Sequence, residues 1–170
     1  MSTFIRLFSI AAGLMLPCAA QAQGVVTHRD ISFGLAKDIA DAALESCRKA
    51  GAHVAITVLD RSGAVRLSYR DDEAEPHTTD NSLRKAYTAR TTRAASGDMA
   101  KRLAAAPGAV PQVYQPGVSA QAGGVPIKVG NDIIGAIGVS GTPGKPGVAG
   151  GLGDEACAQA GIDKVADRLK

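Results

Sequence analysis

The chain has 170 residues, the size of one ordinary domain, and a formal net charge of +3. The basic residues are scattered rather than massed in a stripe, so nothing in the charge pattern points to nucleic acid as a partner. Aromatic residues make up 4% and Trp is absent, which leaves Val, Ile, Leu and Ala to fill a core.

Residues 1–22 read as a secretory signal peptide. Arg6 supplies the basic region, Leu7–Leu16 is an apolar run too short to span a bilayer with ease, and Ala20-Gln21-Ala22 is an A-x-A cleavage site. A retained membrane anchor is the competing reading. Pro17 before Cys18 is a poor fit to a lipidation site. The expectation is one domain over 23–170, periplasmic or secreted, with no membrane insertion after cleavage.

The first predicted helix runs from Thr27 or Asp30 to Ala50, with Ile31, Leu35, Ile39, Ala43 and Cys47 recurring every four residues on one face. Gly51 is placed to end it. His53–Leu59 follows as a strand with Val54, Ile56 and Val58 on one side, Asp60-Arg61-Ser62-Gly63 is turn chemistry, and Ala64–Tyr69 returns as the partner strand. Asp60 reads as a turn-former rather than a catalytic acid. After the charged connector Arg70–Glu75, Thr78, Thr79 or Asp80 can cap a second helix that reaches about Arg93. Ser96 can cap a short third helix stopped by Pro107, and Ala106–Gln115 reads as a structured loop able to cover a pocket.

A strand is expected near Gly117–Ala122, followed by a hairpin of Val125–Val129 and Ile133–Val139. Gly130-Asn131 suits its tight turn, because both residue types tolerate positive φ. Gly135 and Gly138 would let a helix or ligand approach the sheet closely. Asp154-Glu155 opens a last helix with acidic groups at its electropositive end, and Ala158, Ile162, Val165 and Leu169 form its stripe. Strands that meet through tight turns imply an antiparallel sheet in an α/β (α+β) fold.

With Cys18 removed by cleavage, Cys47 and Cys157 remain, one on or beside each helical stripe. In an oxidising compartment an even count favours a disulfide if the first and last helices pack together. Two buried free thiols are the alternative. Two other signals fail: Val139 stands where the first glycine of a phosphate loop belongs, and Thr142 where the closing glycine of a nucleophile elbow belongs.

Three blocks carry a resemblance: AITVLDRSGAVRLSYRDDEA (Ala55–Ala74), RKAYTA (Arg84–Ala89), and GGVPIKVGNDIIGAIGVSG with the later DEACAQAGI (Gly123–Ile162). In order and spacing they resemble the GlcG/HbpS-like family, often described as haem-binding or haem-degrading. The resemblance spans roughly residue 27 to the end. It implies a profilin-like sandwich with helices on a central antiparallel sheet, frequent self-association as a homo-oligomer, and haem or a similar planar ligand as cofactor.

The segment His77–Thr88 gathers the most polar chemistry. A haem site needs an apolar slot for the macrocycle, cations for the propionates and an axial donor. His77 and Tyr87 are candidate iron ligands, Arg84 and Lys85 candidate propionate partners, and Thr88 completes the set. A solvated helix face with a buried Tyr and a capping Thr explains the same residues without a ligand. His28 and His53 lack the neighbours of a metal site, and Met99 fits core packing better than ligation. Three functions stand: an exported haem-binding carrier, sequestering protein or sensor partner; a haem-degrading enzyme using an outside reductant; and an accessory subunit of an exported oxidoreductase with no ligand of its own. Nothing in the residues establishes catalysis.

Overall fold

The computed structural model describes residues 24–144 and 151–170, so the predicted signal peptide lies outside the described residues. The elements are α1 (Phe33–Lys49), β1 (Ala55–Asp60), β2 (Val65–Arg70), α2 (Thr78–Thr92), α3 (Gly97–Ala105), a 3-10 helix (Pro107–Tyr114), β3 (Gly124–Val129), β4 (Asp132–Ser140), α4 (Leu152–Lys164) and a closing 3-10 turn (Ala166–Arg168). The four strands are antiparallel in the order β2-β1-β4-β3. This is the expected α+β arrangement.

One face of the sheet carries α1 and α4. The stripe Ile31, Leu35, Ile39, Ala43 and Cys47 is buried with Val54 just before β1, Ile56 and Val58 of β1, and Ile137 and Val139 of β4. The predicted disulfide is present: Cys47 and Cys157 are bonded across α1 and α4, with Cα atoms 5.5 Å apart. The helices touch closely there because residue 161 is glycine; a Cβ on it would stand 2.4 Å from the Ile39 carbonyl oxygen.

The opposite face carries α2. Its approach depends on two glycines: a Cβ on Gly138 would lie 2.0 Å from the Ser82 carbonyl oxygen, and one on Gly124 would lie 2.0 Å from that of Lys85. The helix backbone therefore rests on the sheet without intervening side chains. Small polar groups fill the seam, with the Thr57 hydroxyl 2.8 Å from that of Ser82.

Several local expectations shift. Helix α1 starts at Phe33 and is capped by Ser32, whose hydroxyl accepts from the Leu35 N–H at 3.2 Å. Asp30 instead accepts the amides of Ile31 and Arg61, tying the entry of the helix to the β1–β2 turn. Helix α2 has no side-chain cap; the Thr78 hydroxyl donates to the Glu75 carbonyl. Ser96 does not cap α3 either; it donates to the Gln121 carbonyl and accepts from the Gly124 amide, fixing the start of β3. Gly117–Ala122 is not a strand. Gly117 has φ +82°, the Ser119 amide donates to the Thr88 hydroxyl, and the Gln121 carbonyl is taken by Ser96, so side chains replace a ladder. In the β3–β4 turn only Gly130 has positive φ. Asp60 is the turn-former expected, one carboxylate oxygen accepting from Ser62 N–H, Ser62 hydroxyl and Ala64 N–H.

Candidate functional site

Where α2 crosses the ends of β3 and β4, a cleft of about 480 Å³ opens between the start of α2, the loop before β3, the end of β4 and the first turn of α4. That volume is in the range of small-molecule sites. His77, Thr78, Asn81 and Lys85 contribute from α2 and its lead-in, Ser140 and Thr142 from the end of β4, and Asp154 from α4.

The centre of this cleft is a buried ion pair. Lys85 runs past Gly123, where a Cβ would stand 2.9 Å from its Cδ, and reaches the N-terminal turn of α4. Its Nζ donates to Asp154 Oδ2 at 2.7 Å and to the Val139 carbonyl at 3.2 Å. The second Asp154 oxygen accepts from the Thr142 amide at 2.8 Å. Both side chains of the pair are 3% exposed. Asp154 was expected to serve the helix dipole, and Lys85 to be free for a ligand carboxylate; each is instead held chiefly by the other.

The five candidate residues do not converge. His77 sits at the cleft edge, exposed, and its imidazole makes no hydrogen bond among the described residues. Lys85 lies in the floor. Arg84 points outward and bonds Asp80 at 2.7 Å on the solvent side of α2. The Tyr87 ring packs between Gly63 and Gly117, the two loops on the other flank of α2, and does not line the cleft. Thr88 is buried, donating to the Arg84 carbonyl and accepting from the Ser119 amide. The cleft lining mixes polar and apolar surface, and of the segment Arg84–Thr88 only Lys85 contributes to it.

The 3-10 segment predicted as a pocket cover packs mainly on α3, with Tyr114 80% exposed, and it does not line the cleft. His28 is exposed, Met99 fills the core, and His53 stands 3.3 Å from Asp71. Among the described residues no three His, Cys, Asp or Glu side chains gather closely enough to hold a metal ion. The buried Asp71 is the most perturbed carboxylate: the Arg48 guanidinium, bonded to both its oxygens, holds it well below the usual range against the opposing effect of burial. Burial, and then Asp41, raises the Tyr69 phenol. Both groups lie away from the cleft.

The sequence model of the family described as haem degrading protein HbpS-like matches residues 31–163. The chain belongs to the HbpS-like family. Among solved structures, the HbpS-like chain is 34% identical to a double mutant of HbpS from Streptomyces reticuli, with TM-score 0.76, covering 89% of this chain and 97% of that one. It is 25% identical to the ORFY protein of Klebsiella pneumoniae, with TM-score 0.73 and 86% and 98% of the two chains covered. PduOC, solved as a haem complex, shares the fold at 22% identity and TM-score 0.68, over 79% of this chain and 94% of that one. No curated protein matches the chain.

Proposed function

We propose that this is an exported haem-binding protein in which His77, at the edge of the cleft, supplies the axial donor to the iron. The observation that carries the reading is an exposed imidazole without a partner among the described residues, beside the cleft, in a chain of a haem-related family. A neutral imidazole is a common haem ligand. Tyr87 is the weaker candidate, because its ring is wedged between two glycine-bearing loops. The polar floor argues for haem held edge-on at the rim rather than swallowed whole. Export is supported by the signal-like first 22 residues and by the Cys47–Cys157 bridge, a bond that persists in oxidising compartments.

Hemin titration tests the ligand. The protein should give a saturable, stoichiometric Soret shift that His77→Ala abolishes and Tyr87→Phe preserves. An unshifted spectrum with the unaltered protein would overturn the haem reading and leave an accessory subunit without haem. Adding ascorbate and oxygen to the complex separates carrier from degrading enzyme: an intact Soret band means binding alone, whereas its decay with a bilin-like product means turnover with an outside reductant. Mass analysis of the periplasmic fraction tests export, with a chain beginning at Gln23 expected.

A further inference from the structure

The cleft floor holds more hydrogen-bond donors than it uses. Lys85 has three N–H bonds, of which Asp154 and Val139 take two. Ser140 lines the same cleft, and its hydroxyl, with no hydrogen-bond partner among the described residues and not sealed from solvent, faces the open space. The Thr142 hydroxyl, also in the lining, is buried and unpartnered. Buried polar groups are nearly always paired, so the unpartnered Thr142 hydroxyl, beside the spare donors of Lys85 and Ser140 in one concavity, marks the place of a ligand.

The charges select the kind of ligand. Lys85 and Asp154 cancel, and the further carboxylate of Glu75 stands in the lining. An incoming anion would meet the ammonium but also stand beside Asp154; an incoming cation would face Lys85 at close range. A neutral acceptor pays neither repulsion. A carbonyl oxygen has two lone pairs, enough for the third Lys85 N–H and one hydroxyl together. We propose that the cleft floor binds a neutral, carbonyl-bearing small molecule, an amide, lactam or ketone, through Lys85 and Ser140 with Thr142 beside them. This stands apart from the haem reading, since it concerns the floor rather than His77.

Amide chemical shifts of the ¹⁵N-labelled, disulfide-intact protein test it with probes that contain neither iron nor porphyrin: 2-pyrrolidinone, acetate and methylammonium. The expected result is saturable movement of the Ser140, Gly141 and Thr142 amides with 2-pyrrolidinone, at least about fivefold tighter than with either ion. Ser140→Ala should weaken it about fivefold, the worth of one neutral hydrogen bond. Thr142→Val, close to isosteric, provides a second variant should Ser140→Ala fail to fold. Absence of saturable shifts, equal affinity for acetate, or unchanged affinity in both variants overturns the proposal. Neither outcome bears on the hemin titration, which reads His77.

Discussion

Asp154→Leu should be among the most damaging single substitutions in this chain, and adding Lys85→Met should reverse most of the damage. In the native fold both side chains are 3% exposed and 2.7 Å apart. Removing the carboxylate leaves the Lys85 ammonium buried with one neutral acceptor, the Val139 carbonyl, and leaves the Thr142 amide without its partner. Breaking one side of a buried pair costs about 3–5 kcal/mol, and an orphaned buried amide adds about 1–3 kcal/mol where water does not reach it. The two together, about 4–8 kcal/mol, lower Tm by about 8–32 °C for a domain of this size. The double variant removes both charges, so only the amide penalty of about 1–3 kcal/mol and any packing mismatch remain. Urea denaturation of the wild type, both single variants and the double variant gives the coupling directly. If Asp154→Leu alone costs under about 1 kcal/mol, or the double variant is as unstable as it, the pair is not desolvated and the argument fails.

Gly138→Ala should destabilise severely, because its Cβ would stand 2.0 Å from the Ser82 carbonyl and 2.6 Å from the Ala86 nitrogen, whereas Gly34→Ala, with open space in the first turn of α1, should stabilise by about 0.4–1 kcal/mol; paired thermal melts read both. Intact mass of the unreduced protein should fall two hydrogens short of the dithiol, and Cys47→Ser with Cys157→Ser should lose about 2–5 kcal/mol in denaturant, given the 110-residue separation. Asp71 has its pKa depressed by Arg48, so its contribution is complete above the unfolded carboxylate value near about 4 and drains away as pH falls below it. Denaturation of wild type and Asp71→Asn should therefore differ at pH 6–7 and converge in strong acid; a gap that persists unchanged at low pH refutes the ion-pair account.

Periodicity made the framework legible. Ile31 to Cys47 recur every fourth residue, and Val54, Ile56 and Val58 alternate, so both sides of one core layer could be read before any coordinates. The disulfide was readable because each cysteine sat on or beside such a stripe. The floor of the cleft was not, since Lys85 and Asp154 are 69 residues apart and each has a sufficient local explanation, a solvated helix charge and a helix-dipole partner. One signal was available: Thr78, Ser82, Lys85 and Ala89 share a face at spacings of four, three and four, and all are buried. A lysine in a row of small residues is out of place on a solvent side. Gly117–Ala122 misled for the opposite reason; the stretch is ordered, but by the hydroxyls of Thr88 and Ser96, which no strand pattern reveals.

Every strand, along with α2 and α3, falls between Cys47 and Cys157, so the sheet lies inside one covalent ring. Tension applied along the chain through α1 and α4 passes across the sulfur atoms and leaves the strands unloaded until that bond is cut. A protease that nicks the ring once yields a molecule still in one piece. Reduction removes both protections at a stroke.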